Sequence, residues 1–212
     1  MKFRQLRRNK LNHWIIIHSR YLVGLAFFPS GMTKLIGHRF TNISTESPIG
    51  YFFEALYQSG FYWNFLGLAQ ITAGVLLLTQ RFALLGTLLF AAILTNVWLI
   101  TLSLSFKGTW IITSLMMIAV ICLLIWDHQK LLPIVSRKKD IIIESFPEPD
   151  KIWVTAGIIY SVLFLILSVL NPLMGETPRV VTLILLGLIV LTFLGSNYIS
   201  YKSNRKILHT PL

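Results

Sequence analysis

The fold of this chain is decided by the stretch WIIIHSRYLVGLAFFPSGMTKL, residues 14–35. It is long and apolar enough to cross a bilayer, because a membrane-spanning helix needs about 20 predominantly apolar residues. It also carries two basic residues, Arg20 well inside and Lys34 near its far end. A central arginine costs about 2.5–3.5 kcal/mol on insertion scales, so such groups usually face a protein interior or a wet cavity. We therefore expect function to reside in this first span.

Composition assigns the whole chain to the membrane class. Of its 212 residues, 55% are hydrophobic and only 13% are charged, whereas about 25% of an average soluble domain is charged. The net charge of +11 would fit nucleic-acid binding, but the basic residues lie in short clusters between apolar runs, as in the cytoplasmic loops of membrane proteins. The expected environment is therefore the lipid bilayer, and nucleic acid is not expected as a partner.

Six apolar runs have the length that a hydrocarbon core of about 30 Å requires. The connections between the second, third and fourth runs are very short, so these helices should be antiparallel neighbours. The predicted fold is an all-α membrane protein, a four-helix transmembrane bundle plus two additional C-terminal transmembrane helices. The six predicted spans are residues 14–36, 61–80, 82–106, 109–127, 152–174 and 180–201.

The positions of lysine and arginine predict the topology. If the N-terminus lies inside, the cytoplasmic segments hold 14 of the 19 basic residues, in agreement with the positive-inside rule. We therefore expect a multi-pass protein of the cell (plasma, or inner) membrane with both termini in the cytoplasm.

Three parts are predicted along the chain. Residues 1–127 form a four-span unit with a basic cytoplasmic N-terminus, and residues 152–212 form a two-span hairpin with a basic tail. Residues 128–151 form a cytoplasmic linker between them, in which Pro147 and Pro149 would break a helix.

The outer loop, residues 37–60, is the longest predicted connection outside. Tyrosine, phenylalanine and tryptophan are dense over residues 51–63, and aromatic side chains of this kind gather at the membrane–water interface. This pattern predicts a short helix that lies in the outer interface.

Arg20 and Lys34 each allow two interpretations. The side chains of both are long enough to snorkel to lipid phosphates or to the interface. Alternatively both face the bundle, about 21 Å apart along the helix axis, and pair with a carboxylate, an anion or a quinone-type ligand. Pro29 and Gly31 lie between them and can kink the helix, which frees backbone carbonyls toward a cavity.

Few polar side chains in the other spans are candidate partners. Gln70 has small neighbours that would allow close helix approach, and Asn96 lies in the third span; interhelical hydrogen bonding is the simpler role for both. No carboxylate is predicted deep in a span, which argues against a proton relay. Glu54 is the nearest acid at the outer side and would pair with Lys34, whereas Asp127 lies at the inner end of the fourth span.

Histidine and cysteine give little support to a metal or redox site. His18 and His128 fall near the same predicted boundary and would suit haem only if they were brought together; polar tips at the interface are the simpler reading. Cys122 is the only cysteine and lies in an apolar run, so no redox pair can form. No metal site and no cofactor are predicted from these residues.

The first span resembles the start of DoxX-like membrane proteins. Those proteins open with an Arg-x-x-x-Gly step and then a Gly-x-x-Lys step, which correspond here to RYLVG, residues 20–24, and SGMTKL, residues 30–35. The resemblance continues through GLAQITAGVLLL, residues 67–78, to about residue 127. It implies a four-helix membrane bundle, and some relatives are subunits of quinone-reducing or other redox-linked complexes.

This chain departs from that family at one position. Relatives often carry a glutamate in the second span where this chain has Gln70. The resemblance therefore does not carry an acid–base role over to this chain. Relatives that oxidise thiols need cysteine pairs, and the single Cys122 excludes that activity.

Three functions follow as hypotheses, and whether the chain is an enzyme stays open. The first is a non-catalytic membrane subunit or scaffold for a partner membrane or redox protein, because recognisable cofactor ligands are lacking. The second is a quinone-interacting oxidoreductase subunit, with Arg20, Gln70 and Asn96 lining the quinone pocket. The third is a small solute transporter or channel that uses the broken helix at Pro29 and Gly31.

Overall fold

A computed structural model describes residues 6–7, 9–135, 150–173 and 179–208. Over these ranges the regular structure is entirely helical, which confirms the predicted all-α class. The helices are α1 (Lys10–Leu35), α2 (Pro48–Gln58), α3 (Phe61–Leu78), α4 (Ala83–Ser103), α5 (Thr109–Val135), α6 (Lys151–Leu173) and α7 (Arg179–Leu208).

Six of these helices, all except α2, are long and apolar enough to cross a membrane. Their outward faces carry large exposed apolar side chains, such as Leu22 on α1 and Leu191 on α7. A soluble protein rarely exposes so much contiguous apolar surface, because water disfavours it. The chain is thus a multi-pass membrane protein, as predicted.

The short helix expected in the outer loop is present as α2. Ser47 is its N-cap, and the Ser47 side chain accepts a hydrogen bond from the backbone N–H of Gly50. Pro48 occupies the first helical position, where its missing N–H costs nothing. The helix itself is confirmed, and its place in the membrane interface stays a prediction.

Two helices run further than the predicted spans. Helix α5 continues to Val135, beyond the predicted span end at residue 127. Asp127 is therefore buried and paired within the helix rather than exposed at its end. Helix α7 continues to Leu208, since lysine and arginine are good helix formers and suit a helix C-terminus. Residues 136–149 of the predicted linker lie outside the described residues, and the three-part division stays a prediction.

Helices α1 and α3 form the closest pair in the bundle. Gly24 lies against Gly74, and about two helical turns further along the same interface Gly31 lies against Gly67. A Cβ atom on Gly67 would lie 2.6 Å from the carbonyl oxygen of Gly31, so no larger residue fits without moving a helix. Small residues let membrane helices approach in this way, which confirms the close approach predicted around Gln70.

The C-terminal helices pack on the same bundle. A Cβ atom on Gly157 of α6 would collide with the carbonyl oxygen of Leu78 at the end of α3. The hydroxyl of Tyr21 on α1 donates a hydrogen bond to the carbonyl oxygen of Trp153 on α6. Helix α7 contacts α6 and lies outermost. Helix α6 is therefore joined to α1 and α3 by direct side-chain and backbone contacts.

The two ends of the bundle are defined by the basic residues of α1. The Arg20 end holds the start of α1, the α3–α4 turn, the last turns of α5 and the start of α6. The Lys34 end holds the end of α1, helix α2, the start of α3 and the α4–α5 turn. The predicted alternation of helix direction is therefore present.

Candidate functional site

Arg20 is buried at the Arg20 end, with only 7% of its surface exposed. Its Nη2 atom donates a hydrogen bond to Oδ2 of Asp127 at 2.6 Å, and its Nη1 atom donates to Oε1 of Gln80 at 3.1 Å. Arg20, Gln80 and Asp127 are called the Arg20 clamp below. The clamp joins α1, the α3–α4 turn and α5 by a charge-assisted pair, the stronger class of hydrogen bond.

Gln80 reaches Arg20 from an unusual backbone conformation. Its φ angle is +57°, in the left-handed region that non-glycine residues seldom adopt. The Nε2 atom of Gln80 also donates a hydrogen bond to the carbonyl oxygen of Ile17 at 3.5 Å. Backbone strain of this kind persists only where surrounding contacts fix it, and here those contacts are the ones that Gln80 makes with α1.

The carboxylate of Asp127 is shared between two cations. Its Oδ1 atom lies 3.0 Å from Nζ of Lys130, one turn further along α5. Nearby, Arg7 donates hydrogen bonds to Oε1 of Gln129 at 3.0 Å and to the carbonyl oxygen of Trp126. The segment before α1 is thereby tied to the end of α5, so the charge of Arg20 lies inside a well-connected polar cluster.

Arg20 faces the bundle and pairs with a carboxylate, as one of the two interpretations held, but neither Gln70 nor Asn96 is its partner. Asn96 is exposed, and its amide donates to the carbonyl oxygen of Ala92 on its own helix, while Gln70 lies toward the opposite end of the bundle. The true partner, Asp127, was identified in the sequence only as an acid at a helix end. One signal pointed to it: Arg20 and Asp127 both lie toward the predicted cytoplasmic side, on the first and fourth spans.

Lys34 is buried at the opposite end, with 5% of its surface exposed. Its Nζ atom donates a hydrogen bond to the carbonyl oxygen of Ser30 at 3.0 Å. The same atom lies 4.6 Å from the ring centroid of Phe40 and 5.1 Å from that of Trp63, within the range of cation–π attraction. Snorkelling to the interface is therefore not the conformation that Lys34 adopts.

No carboxylate pairs with Lys34 within the described part of the chain. The predicted partner, Glu54, instead accepts two hydrogen bonds from Arg39, at 2.8 and 2.9 Å. The predicted pairing of Glu54 with Lys34 was thus wrong. Arg39 lies in the loop facing α2 and binds the Glu54 carboxylate with two guanidinium N–H groups, whereas the Lys34 ammonium is covered by aromatic rings.

The contact between Arg39 and Glu54 shifts the pKa of both groups. Hydrogen bonds from Arg39 and from the Gln58 amide lower the pKa of Glu54 to about 2. The hydrogen bonds to the carboxylate in turn raise the pKa of Arg39 above its ordinary value. Both groups therefore stay ionised across the physiological range, and neither is available to balance another charge.

Gln70 lies on the facing helix, where it packs against Gly31, whereas Lys34 packs against Gly67. Gln70 is 2% exposed, and its Oε1 atom is 3.4 Å from the hydroxyl of Ser30. That is the only hydrogen bond of the Gln70 side chain among the described residues. Ser30, Lys34, Phe40, Trp63 and Gln70 are called the Lys34 site below.

A loop covers the Lys34 site. The indole Nε1 of Trp63 donates to the carbonyl oxygen of His38 at 3.0 Å, and the amide of Asn64 donates to that of Leu35 at 2.9 Å. Phe40 in the same loop contacts Phe53 of α2 with ring centroids 5.4 Å apart. The start of α3 and helix α2 thus position Phe40 over the ammonium.

His18 lies in an aromatic cluster at the Arg20 end. Its Nδ1 atom is 2.8 Å from the carbonyl oxygen of Trp14, and its ring contacts four aromatic rings, those of Trp14, Tyr21, Trp153 and Phe193. No group of three or more histidine, cysteine, aspartate or glutamate side chains suited to a metal ion occurs in the ranges the structure describes. His18 as a ligand-binding residue stays a prediction.

Comparisons with known proteins add no relative. No protein-family model, curated protein or solved structure matches the chain.

Proposed function

We propose that this chain is a non-catalytic membrane subunit or scaffold that supports a partner, in line with its resemblance to DoxX-like proteins. One observation carries the proposal. Arg20, the strongest sequence candidate for intramembrane chemistry, is bonded to Asp127 and Gln80 within the chain. A cation held in this way fixes three elements relative to one another and leaves few free groups for catalysis.

The proposed location is the cell (plasma) membrane, with both termini in the cytoplasm and a four-plus-two arrangement of spans. The excess of basic residues at the Arg20 end supports this orientation. A reporter fused after Leu212 tests it. Activity of a cytoplasmic reporter is expected, and activity of a reporter that works only outside the cytoplasm would reverse the orientation.

Crosslinking in intact membranes tests the scaffold role. A photoreactive amino acid is placed at Leu115 on α5 or at Leu191 on α7, which are both exposed and apolar, and at the buried Leu94 as a control. We expect one protein adduct of constant mass from an exposed position and none from Leu94. Adducts with lipid alone from both exposed positions would contradict the proposal.

A quinone-interacting oxidoreductase subunit is the second candidate, because the Lys34 site contains donors for a quinone oxygen. The Lys34 ammonium contacts the backbone carbonyl of Ser30, whose hydroxyl contacts the Gln70 amide; the ammonium, the hydroxyl and the amide N–H are groups that can donate to a quinone oxygen. Purification in mild detergent followed by extraction tests this. Bound quinone that is lost in Lys34→Met and kept in Lys107→Met would support it, and quinone absent from the unmodified protein would rule it out.

The transport alternative has no observation in its favour among the described residues. The segment at Pro29 and Gly31 remains helical, and Gly31 is packed against Gly67.

A further inference from the structure

The charge of Lys34 is the least compensated one inside the bundle. Its ammonium has one backbone acceptor and two aromatic faces, and no carboxylate within 4.0 Å among the residues described. Removing an ammonium from water without an opposite charge is strongly unfavourable. The position thus calls for a negative group that the described chain does not supply.

Groups close to Lys34 compensate its positive charge only in part. The C-terminal end of a helix carries roughly half an elementary negative charge, and Lys34 lies in the last turn of α1. Each cation–π contact contributes about 0.5–2 kcal/mol. Of the two acids in the covering loop and α2, Glu54 is held by Arg39 and Glu46 is exposed. A net positive charge remains at the site.

The location of the site limits what can supply the missing charge. It lies where α1 ends, beneath a loop and beside α2, whose sequence PIGYFFEALYQ is rich in aromatic residues. Aromatic residues of this kind mark the level of the lipid headgroups, where phosphate is the abundant anion. A lysine ammonium binds phosphate as a point charge.

A neutral ligand fits this site less well than an anion. A quinone oxygen can accept a hydrogen bond from Lys34, but it brings no charge to balance the ammonium. A phosphate brings both, and its further oxygens can accept from the Ser30 hydroxyl and the Gln70 amide, which now share a single long contact of 3.4 Å. The chemistry of the site therefore favours an oxyanion.

We propose that the Lys34 site binds a phosphate group, with the Lys34 ammonium as its charge partner and Ser30 and Gln70 as neutral donors. Phe40, which is 39% exposed and lies in the covering loop, is the residue that moves to admit the phosphate. The phosphate belongs either to an anionic phospholipid or to free phosphate. This inference stands apart from the scaffold proposal, because it requires no protein partner.

The test measures ligand binding to the purified full-length chain in a non-ionic detergent. Phosphatidylglycerol, phosphatidylcholine, inorganic phosphate and a short-chain quinone are titrated separately, with thermal unfolding and native mass spectrometry as readouts. We expect phosphatidylglycerol to form a one-to-one adduct and to raise Tm more than phosphatidylcholine does. Protection by inorganic phosphate alone would identify free phosphate as the source.

Variants connect the binding to this site. Lys34→Met should weaken anion binding at least tenfold, and Gln70→Leu, which keeps the charge, should weaken it several-fold. Lys107→Met removes an exposed basic residue at the same end and should leave binding unchanged. Lys34→Arg retains the charge and should keep most of the anion binding. It serves as the second test variant at this position if Lys34→Met does not fold.

Three results would overturn the proposal. The first is equal anion binding by the unmodified chain, Lys34→Met and Gln70→Leu. The second is a similar loss in Lys107→Met, which would indicate general surface attraction. The third is quinone binding that depends on Lys34 without any anion binding, which would favour the second candidate function instead.

Discussion

Arg20 and Lys34 lie on the same helix and are both buried, yet their surroundings differ. Arg20 is bonded to a carboxylate and an amide from two other elements of the chain. Lys34 has a backbone carbonyl of its own helix and two aromatic rings. One charge is balanced within the described protein and the other is not.

The two ends of the bundle differ in how their charged and polar groups are held. At the Arg20 end, the clamp fixes α1, the α3–α4 turn and α5 relative to one another. At the Lys34 end, the polar groups of α1 and α3 make few bonds to each other and are covered by a loop. A residue bonded within the fold stabilises it, whereas a buried charge without a partner is suited to a ligand.

The largest expected effect comes from removing the acid of the clamp. Asp127→Ala leaves the Arg20 guanidinium buried without its carboxylate, which costs about 3–5 kcal/mol. Unfolding of the purified protein in mixed micelles measures this loss.

The matched control for Asp127→Ala removes both charges. Arg20→Met combined with Asp127→Leu should regain most of the lost stability, because a buried ion pair contributes little beyond well-packed apolar residues. A double variant that is as unstable as Asp127→Ala would show that the clamp contacts matter for more than charge balance.

A smaller loss is expected when the glycine contact beside the Lys34 site is filled. In Gly67→Ala the new Cβ would lie 2.5 Å from the backbone nitrogen of Leu35 and 2.9 Å from the Lys34 Cβ. Helices α1 and α3 must then separate, at a cost of about 1–3 kcal/mol. Unfolding in mixed micelles measures the change.

Gly187→Ala is the control for that substitution. Nothing lies within 4 Å of the Cβ position at Gly187 on α7, so alanine should raise stability by up to about 1 kcal/mol through helix propensity. Equal losses in both variants would mean that the α1–α3 contact is looser than described.

The smallest effect is expected at the exposed Arg39–Glu54 pair. The lowered pKa of Glu54, about 2 instead of 4.5, means that folding favours the ionised carboxylate. Its contribution is fully present above about pH 4.5 and is lost as the pH falls toward 2. Tm measured from pH 7 to pH 2 should show a small deficit of Glu54→Gln at neutral pH that disappears in acid. A deficit that persists at pH 2 would contradict an ionic origin.

The sequence predicted the helices better than their contacts. Apolar runs of spanning length identify the six long helices, and the dense aromatic residues over 51–63 predict the short helix that is seen as α2. The end of α5 was placed too early because Asp127 looked like a charge at a membrane boundary. Its burial depends on Arg20, which lies 107 positions earlier in the chain, and local patterns do not encode such pairings.

The candidate site was predicted only in part, because its contacts also join residues that lie far apart in the sequence. Arg20, Lys34 and Gln70 were identified because polar groups are costly in lipid. Which of them meet was not predictable, because it depends on the glycine contacts that fix α1 against α3. Phe40 and Trp63 were missed, since an aromatic residue near a membrane boundary looks the same whether it faces lipid or covers an ammonium.

The described chain neutralises Arg20 and leaves Lys34 without an internal counter-charge. The most direct test compares the unfolding free energies of Arg20→Met and Lys34→Met in delipidated, phosphate-free detergent. Arg20→Met should lose about 1–3 kcal/mol, because the buried Asp127 carboxylate then keeps only Lys130 as a partner. Lys34→Met should be as stable as the unmodified chain or more stable. Similar large losses in both variants would contradict the claim.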